Sequence, residues 1–158
     1  MVKFLKKILN GTQYNGKEFS ASDGSNNNSK KLQIAACTLL VEIGKADSNF
    51  TDDERKKIIS IMEDIFNVEE DYIKDLIELS EREIDENDSI YEYTALINEN
   101  FSNDEKFELI KNLWRLIYID NNLDKYEEHL VKKIGTLLNI EYTNIISAKL
   151  IVKEELKK

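Results

Sequence analysis

The sequence predicts an all-α protein, a compact bundle of about seven helices with an internal two-fold duplication, and three observations carry that prediction. Pro is absent and Gly occurs only five times in 158 residues, while Leu, Ile, Lys and Glu dominate, a composition of helix formers with few breakers. Apolar residues recur at helical spacing through most of the chain. An acidic segment also appears twice. Asp47, Asn49, Phe50 and Glu54 are matched by Asp120, Asn122, Leu123 and Glu127, each 73 positions later. A fixed offset over that distance marks a duplicated unit, with each acidic segment forming the turn between two helices.

At 158 residues and 41% hydrophobic, the chain is large enough for one domain with a real core. Three parts are expected: a basic amphipathic helix over 1–10, a flexible polar linker over 11–30 and an all-helical domain over 31–158. Net charge is −9, which repels phosphate backbones, so nucleic acid is not an expected partner. Residues 1 to 31 carry six Lys against Glu18 and Asp23, so +4, leaving −13 for the remainder. The lone cysteine, Cys37, lies in an apolar run and fits a reduced, cytoplasmic core position. No apolar run reaches the roughly 18 to 20 residues of a membrane-spanning helix.

In the first segment Met1, Val2, Phe4, Leu5, Ile8 and Leu9 fall on one arc of a helical wheel, with Lys3, Lys6, Lys7 and Asn10 on the other. Two readings stand: the apolar face folds back onto the bundle, or it lies on an anionic membrane or in a partner's groove. The lysines are interleaved with apolar residues instead of preceding them, unlike a secretory signal, so the segment is expected in the mature protein. The stretch 10–29, rich in Gly, Ser, Asn and Thr, is assigned no structure.

Leu32, Ala36, Leu39, Leu40, Ile43 and Ala46 mark a helix ending near Asp47. Thr51 to Glu54 has capping-box spacing and opens the next, with Ile58, Ile61, Met62, Ile65 and Phe66 inward. Asn67 to Glu70 is a candidate cap for a third, carrying Tyr72, Ile73, Leu76, Ile77 and Leu79. Asp88 or Ser89 can open a fourth with Tyr91, Leu96 and Ile97, and Ser102 to Glu105 is another capping box before Phe107, Ile110, Leu113, Trp114 and Ile117. Leu130, Val131, Ile134, Leu137 and Leu138 follow the second acidic turn. Asn139-Ile140 matches Asn67-Val68 at offset 72, so the second copy is one residue shorter. Ile145, Ile146, Ala148 and Ile151 make the last helix.

Two carboxylates and a carboxamide per turn are hard oxygen donors of the kind Ca²⁺ or Mg²⁺ prefers over the nitrogen and sulfur ligands of Zn²⁺. The candidate metal ligands are therefore Asp47, Asn49, Glu54, Asp120, Asn122 and Glu127. Neither turn is an EF-hand. Counting from Asp47, the sixth residue is Asp52 and the twelfth Ile58; from Asp120 they are Lys125 and Val131, where that motif needs Gly and Glu. Capping explains Glu54 and Glu127 but not Asp47 and Asp120, which stand at helix C-termini where the macrodipole disfavours negative charge. The offset also equates Glu42 with Arg115, an ion pair expected across the pseudo-axis. His129, alone beside Glu127 and Glu128, is expected at the surface or in the core more than as a ligand.

The run Leu39 to Asp47, the following Phe50 to Arg55, Leu113-Trp114-Arg115, Asp120 and Tyr126 to Leu130 resemble the TerB-like family of tellurite-resistance proteins. The likeness covers about residues 30 to 150. It implies a bundle of two related halves, also found at the N-terminus of some membrane-anchored J-domain co-chaperones, and a stress-associated role near the inner membrane face. It also implies metal binding by acidic residues, which carry over to Asp47, Glu54, Asp120 and Glu127. This chain has Ser48 and Asn121 where Gly often follows the Asp. No nucleophile with a base, phosphate-cradling Gly loop or Cys/His cluster is visible, so the expected function is a non-enzymatic binding module with a protein partner. The alternative is a peripheral membrane adaptor working through Lys3, Lys6 and Lys7, with structural turns.

Overall fold

Leu39, Leu40, Ile43, Ile58, Met62, Leu113, Trp114, Val131, Ile134, Ile145 and Ala148 come from five helices and meet in one core from which water is excluded. The computed structural model describes residues 13–14, 17–18, 24–46, 50–83, 90–120 and 125–157. Seven α-helices lie within them: α1 (Gly24–Gly44), α2 (Asp52–Phe66), α3 (Glu70–Glu83), α4 (Ile90–Asn100), α5 (Asn103–Ile117), α6 (Lys125–Leu137) and α7 (Tyr142–Leu156). A 3-10 turn, Tyr118–Asp120, extends α5.

The chain is an all-α bundle, and its packing repeats. α1, α2 and α3 contact one another, as do α5, α6 and α7; α1 packs on α5, and the cross-contacts α2 with α5 and α1 with α6 mirror each other. The duplication therefore reaches the tertiary level. The exception is α4, which packs on α1 and α6 and has no mate at the equivalent place among the described residues.

Local chemistry sets the helix ends. Thr51 and Ser102 form complete capping boxes with Glu54 and Glu105, as their spacing predicts. Asn67 differs from its expected role. It ends α2 in the left-handed conformation, φ 54°, donating its N–H to the Glu63 carbonyl, so it closes one helix instead of opening the next. Asn139 does the same after α6 at φ 61°, with Ile140 N–H on the Gly135 carbonyl and Asn139 N–H on that of Thr136. The short amide side chain tolerates this backbone, which is why Asn recurs at both copies.

Three other expectations are corrected. The stretch 10–29 is partly structured: β1 (Gln13–Tyr14) and β2 (Lys17–Glu18) pair antiparallel, and α1 begins at Gly24. In α4 Tyr93, 1% exposed, enters the core, and Tyr91, 57% exposed, does not. Ile90, Tyr93, Ile97 and Phe101 share one helical stripe that Tyr91 misses by about a third of a turn. In α7 the inward residue is Val152; Ile151 is exposed.

Candidate functional site: two buried glutamates at repeated turns

Each acidic turn delivers a Glu to the third position of the helix that follows, Glu54 in α2 and Glu127 in α6. Both are buried, at 6% and 3% exposure. Glu54 Oε1 accepts from Thr51 N (3.0 Å) and Thr51 Oγ1 (3.1 Å), while Thr51 Oγ1 accepts from Glu54 N (3.1 Å). The cap is made through Oε1 of the Glu54 carboxylate.

The same motif elsewhere tests what capping alone requires. Glu105 makes an equivalent box with Ser102 at 2.8 Å, yet it stays exposed. Capping therefore does not demand burial. Burying a carboxylate costs free energy unless charge or hydrogen bonds compensate it, and Glu54 and Glu127 each make interactions of that kind besides those described here.

The first turn is braced by side chains that sequence spacing does not connect. Phe50 lies over the end of α1, where a Cβ on Gly44 would come within 3.1 Å of its ring. The Arg55 guanidinium stacks 4.5 Å above the same ring and reaches α3, where both its terminal nitrogens meet the Glu81 carboxylate, Nη2 to Oε2 at 2.7 Å. That ion pair raises the Arg55 pKa above its ordinary value. The second copy uses the equivalent position with inverted charge. Glu128, offset 73 from Arg55, takes Lys149 of α7 at 2.8 Å, and the Lys149 bond, with Lys132 assisting, lowers the Glu128 pKa. Both turns are thus held by a bridge from their second helix to their third.

Of the predicted ligands, Glu54 and Glu127 are buried at matching positions. Asp120 closes the 3-10 turn, and its side chain lies outside the described residues, as do Asp47, Asn49 and Asn122. Among the described residues no three His, Cys, Asp or Glu side chains group as a metal centre. The donor chemistry, carboxylate and carboxamide oxygen, fits Ca²⁺ or Mg²⁺. His129 is exposed on α6.

Arg115 corrects the expected pairing with Glu42. It grips Glu155 of α7 through Nε to Oε2 (3.0 Å) and Nη2 to Oε1 (2.7 Å), and donates Nη1 to Asn112 Oδ1 (2.6 Å). Residue 155 lies near the end of the chain, with nothing in its spacing to point back to position 115. Cys37 is fully buried, and loss of solvation pushes its thiol up to about 12, which makes it a core residue and a poor nucleophile at neutral pH.

The predicted amphipathic segment 1–10 lies outside the described residues. Among those described, no helix is long and apolar enough to cross a membrane. No curated protein and no solved structure matches the chain significantly. The model of the family described as tellurite resistance protein TerB matches residues 33–150, about three quarters of the chain and the span of both repeated halves. This duplicated all-α chain belongs to the TerB family.

Proposed function

We propose that this TerB-family chain is a non-catalytic, stress-associated binding module whose two acidic turns hold a divalent cation, Ca²⁺ or Mg²⁺, and present it to a protein partner. The observation that carries this reading is the recurrence of a buried glutamate, Glu54 and Glu127, at matching positions beside two turns that repeat the same oxygen donors. Each turn supplies further oxygen donors in sequence, Asp47 and Asn49 to the first and Asp120 and Asn122 to the second, a donor set of the kind Ca²⁺ or Mg²⁺ takes. The clamps Arg55–Glu81 and Glu128–Lys149 stiffen the helices on which the two glutamates stand.

Thermal melts of chelator-treated protein with Ca²⁺, Mg²⁺, Mn²⁺ and Zn²⁺, beside the double variant Asp47→Asn, Asp120→Asn, test it. Binding to the native state alone adds about 2.7 kcal/mol at a hundredfold excess over the dissociation constant. The midpoint of the wild type rises with Ca²⁺ or Mg²⁺, and that of the variant does not. No shift with any of the four ions removes the metal and leaves the turns as caps.

A further inference from the structure

Apart from the acidic turns, the two halves differ at the corner that leads into their third helix. At the offset of 72, Asn139, Ile145 and Ala148 match Asn67, Ile73 and Leu76, and both copies keep the left-handed Asn and the two buried residues after it. Asn144 then matches Tyr72. In the first half the Tyr72 ring packs on the core, and its hydroxyl donates to Gln33 Oε1 of α1 at 3.0 Å. In the second half, where α5 takes the place of α1, a cavity of about 380 Å³ lies against Asn144, between the start of α5 and the α6–α7 corner.

Two exchanges between the copies shape this cavity. A carboxamide stands at 144 where the first half has a phenol ring, and a large-to-small exchange leaves space that its surroundings refill only in part. At offset 73, Asn103 and Asp104 replace Lys30 and Lys31, so two cations give way to hydrogen-bonding groups. Asn139 and Glu141 line the opposite side. Glu141 is the N-cap residue of α7, yet it makes no side-chain cap and borders the cavity instead. Phe107 and Ile140 add apolar surface.

The lining selects against ions of either sign. Asp104 and Glu141 repel an anion, and among the described residues that line the cavity none is cationic. α5 and α7 both begin here, and their N-terminal partial charges, roughly +0.5 each, disfavour a cation. A neutral ligand meets neither penalty. Each of the three carboxamides both donates and accepts; a hydroxyl does the same, whereas an ammonium group only donates and would leave the amide NH₂ groups unused. We infer that this cavity binds a small neutral polyhydroxylated molecule, a saccharide, with Asn103, Asn139, Asn144, Asp104 and Glu141 on its hydroxyls and Phe107 and Ile140 against its carbon face. The volume lies within the roughly 300–1,000 Å³ of ligand pockets, and the five polar residues are exposed, so a solute reaches them directly. The site stands at the opposite end of α5 from the second acidic turn, about 20 Å along the helix, so it neither needs nor disturbs a cation there.

NMR titration of the isotope-labelled full chain with glucose, maltose and N-acetylglucosamine tests it. Saturable shifts are expected at the backbone and side-chain amides of 103–107 and 139–144, with one saturation constant for the set. Asn144→Tyr, which restores the first half's residue, should abolish them. Asn103→Ala, at an exposed position, should weaken binding about fivefold by removing one hydrogen-bonding group. Spectral dispersion reports the fold of each variant, and if Asn144→Tyr does not fold, Asn103→Ala decides. Tighter binding of maltose than of glucose assigns the site to a glycan chain, and equal binding to a free sugar. The inference is overturned if none of the three sugars gives saturable shifts, if the shifts persist unchanged in the folded variants, or if spermidine, Ca²⁺ or inorganic phosphate binds these residues more tightly than the sugars do.

Discussion

Asn67 and Asn139 are the non-glycine residues at positive φ among those described, and each stops a helix where the chain must turn back into the next. A β-branched side chain in that backbone costs about 1–2 kcal/mol, whereas Gly adopts it freely. Asn139→Val is therefore expected to lower stability by about that amount and Asn139→Gly to leave it nearly unchanged, as denaturant melts would show. Gly135 poses a different constraint. A Cβ there would lie 2.6 Å from Ile145 Cδ1 and 3.2 Å from Ile110 Cδ1. Ala gains roughly 1 kcal/mol of helix propensity, but overpacking a filled core costs about 1–3 kcal/mol. Gly135→Ala should be net destabilising by about 1 kcal/mol, and a neutral or stabilising result would mean that Ile145 yields easily. At Cys37 the thiol is both buried and held protonated, so thiol reagents at pH 8 should label it at the rate of unfolding, not at the rate of a free cysteine. All three predictions concern single positions whose surroundings decide the sign.

Between elements, the two bridges that seat α7 depend on carboxylates. Glu155 is lowered in pKa by its bond to Arg115 of α5, and Glu128 by its bond to Lys149. A group whose folded pKa lies below its unfolded value contributes stability above the unfolded value, near 4.3 for Glu. That contribution is lost as pH falls from there through the lower folded value. The acid limb of the stability curve should therefore begin near pH 4.5, and Glu128→Gln with Glu155→Gln should flatten it and lower stability at pH 7. An acid limb of unchanged slope in this variant would show that α7 is seated by packing alone, through Ile145, Ala148 and Val152. Trp114 adds a charge-independent tie, its Nε1 donating to the Ile145 carbonyl at 3.1 Å in the core.

For the whole molecule, the repeated packing makes each half of three helices a candidate for independent folding, yet α1 and α5 cross between the halves and α4 bridges α1 to α6. Few contacts separate cleanly along that line. One cooperative transition is expected, with Trp114 fluorescence and helical circular dichroism coinciding in urea. Two separated transitions would make the halves separate folding units.

The sequence by itself determined the all-α class, the caps at Thr51 and Ser102, the duplication and the core stripes apart from Tyr93 and Val152, because a 3.6-residue period and a three-residue cap are local signals. It also placed Glu54 and Glu127 at repeated turns, but without their burial. Tertiary structure alone decided which partner each long side chain takes. Arg115 chose Glu155 over Glu42, and Arg55 chose Glu81, since an ion pair forms wherever folding brings two charges together and leaves no fixed interval in the chain.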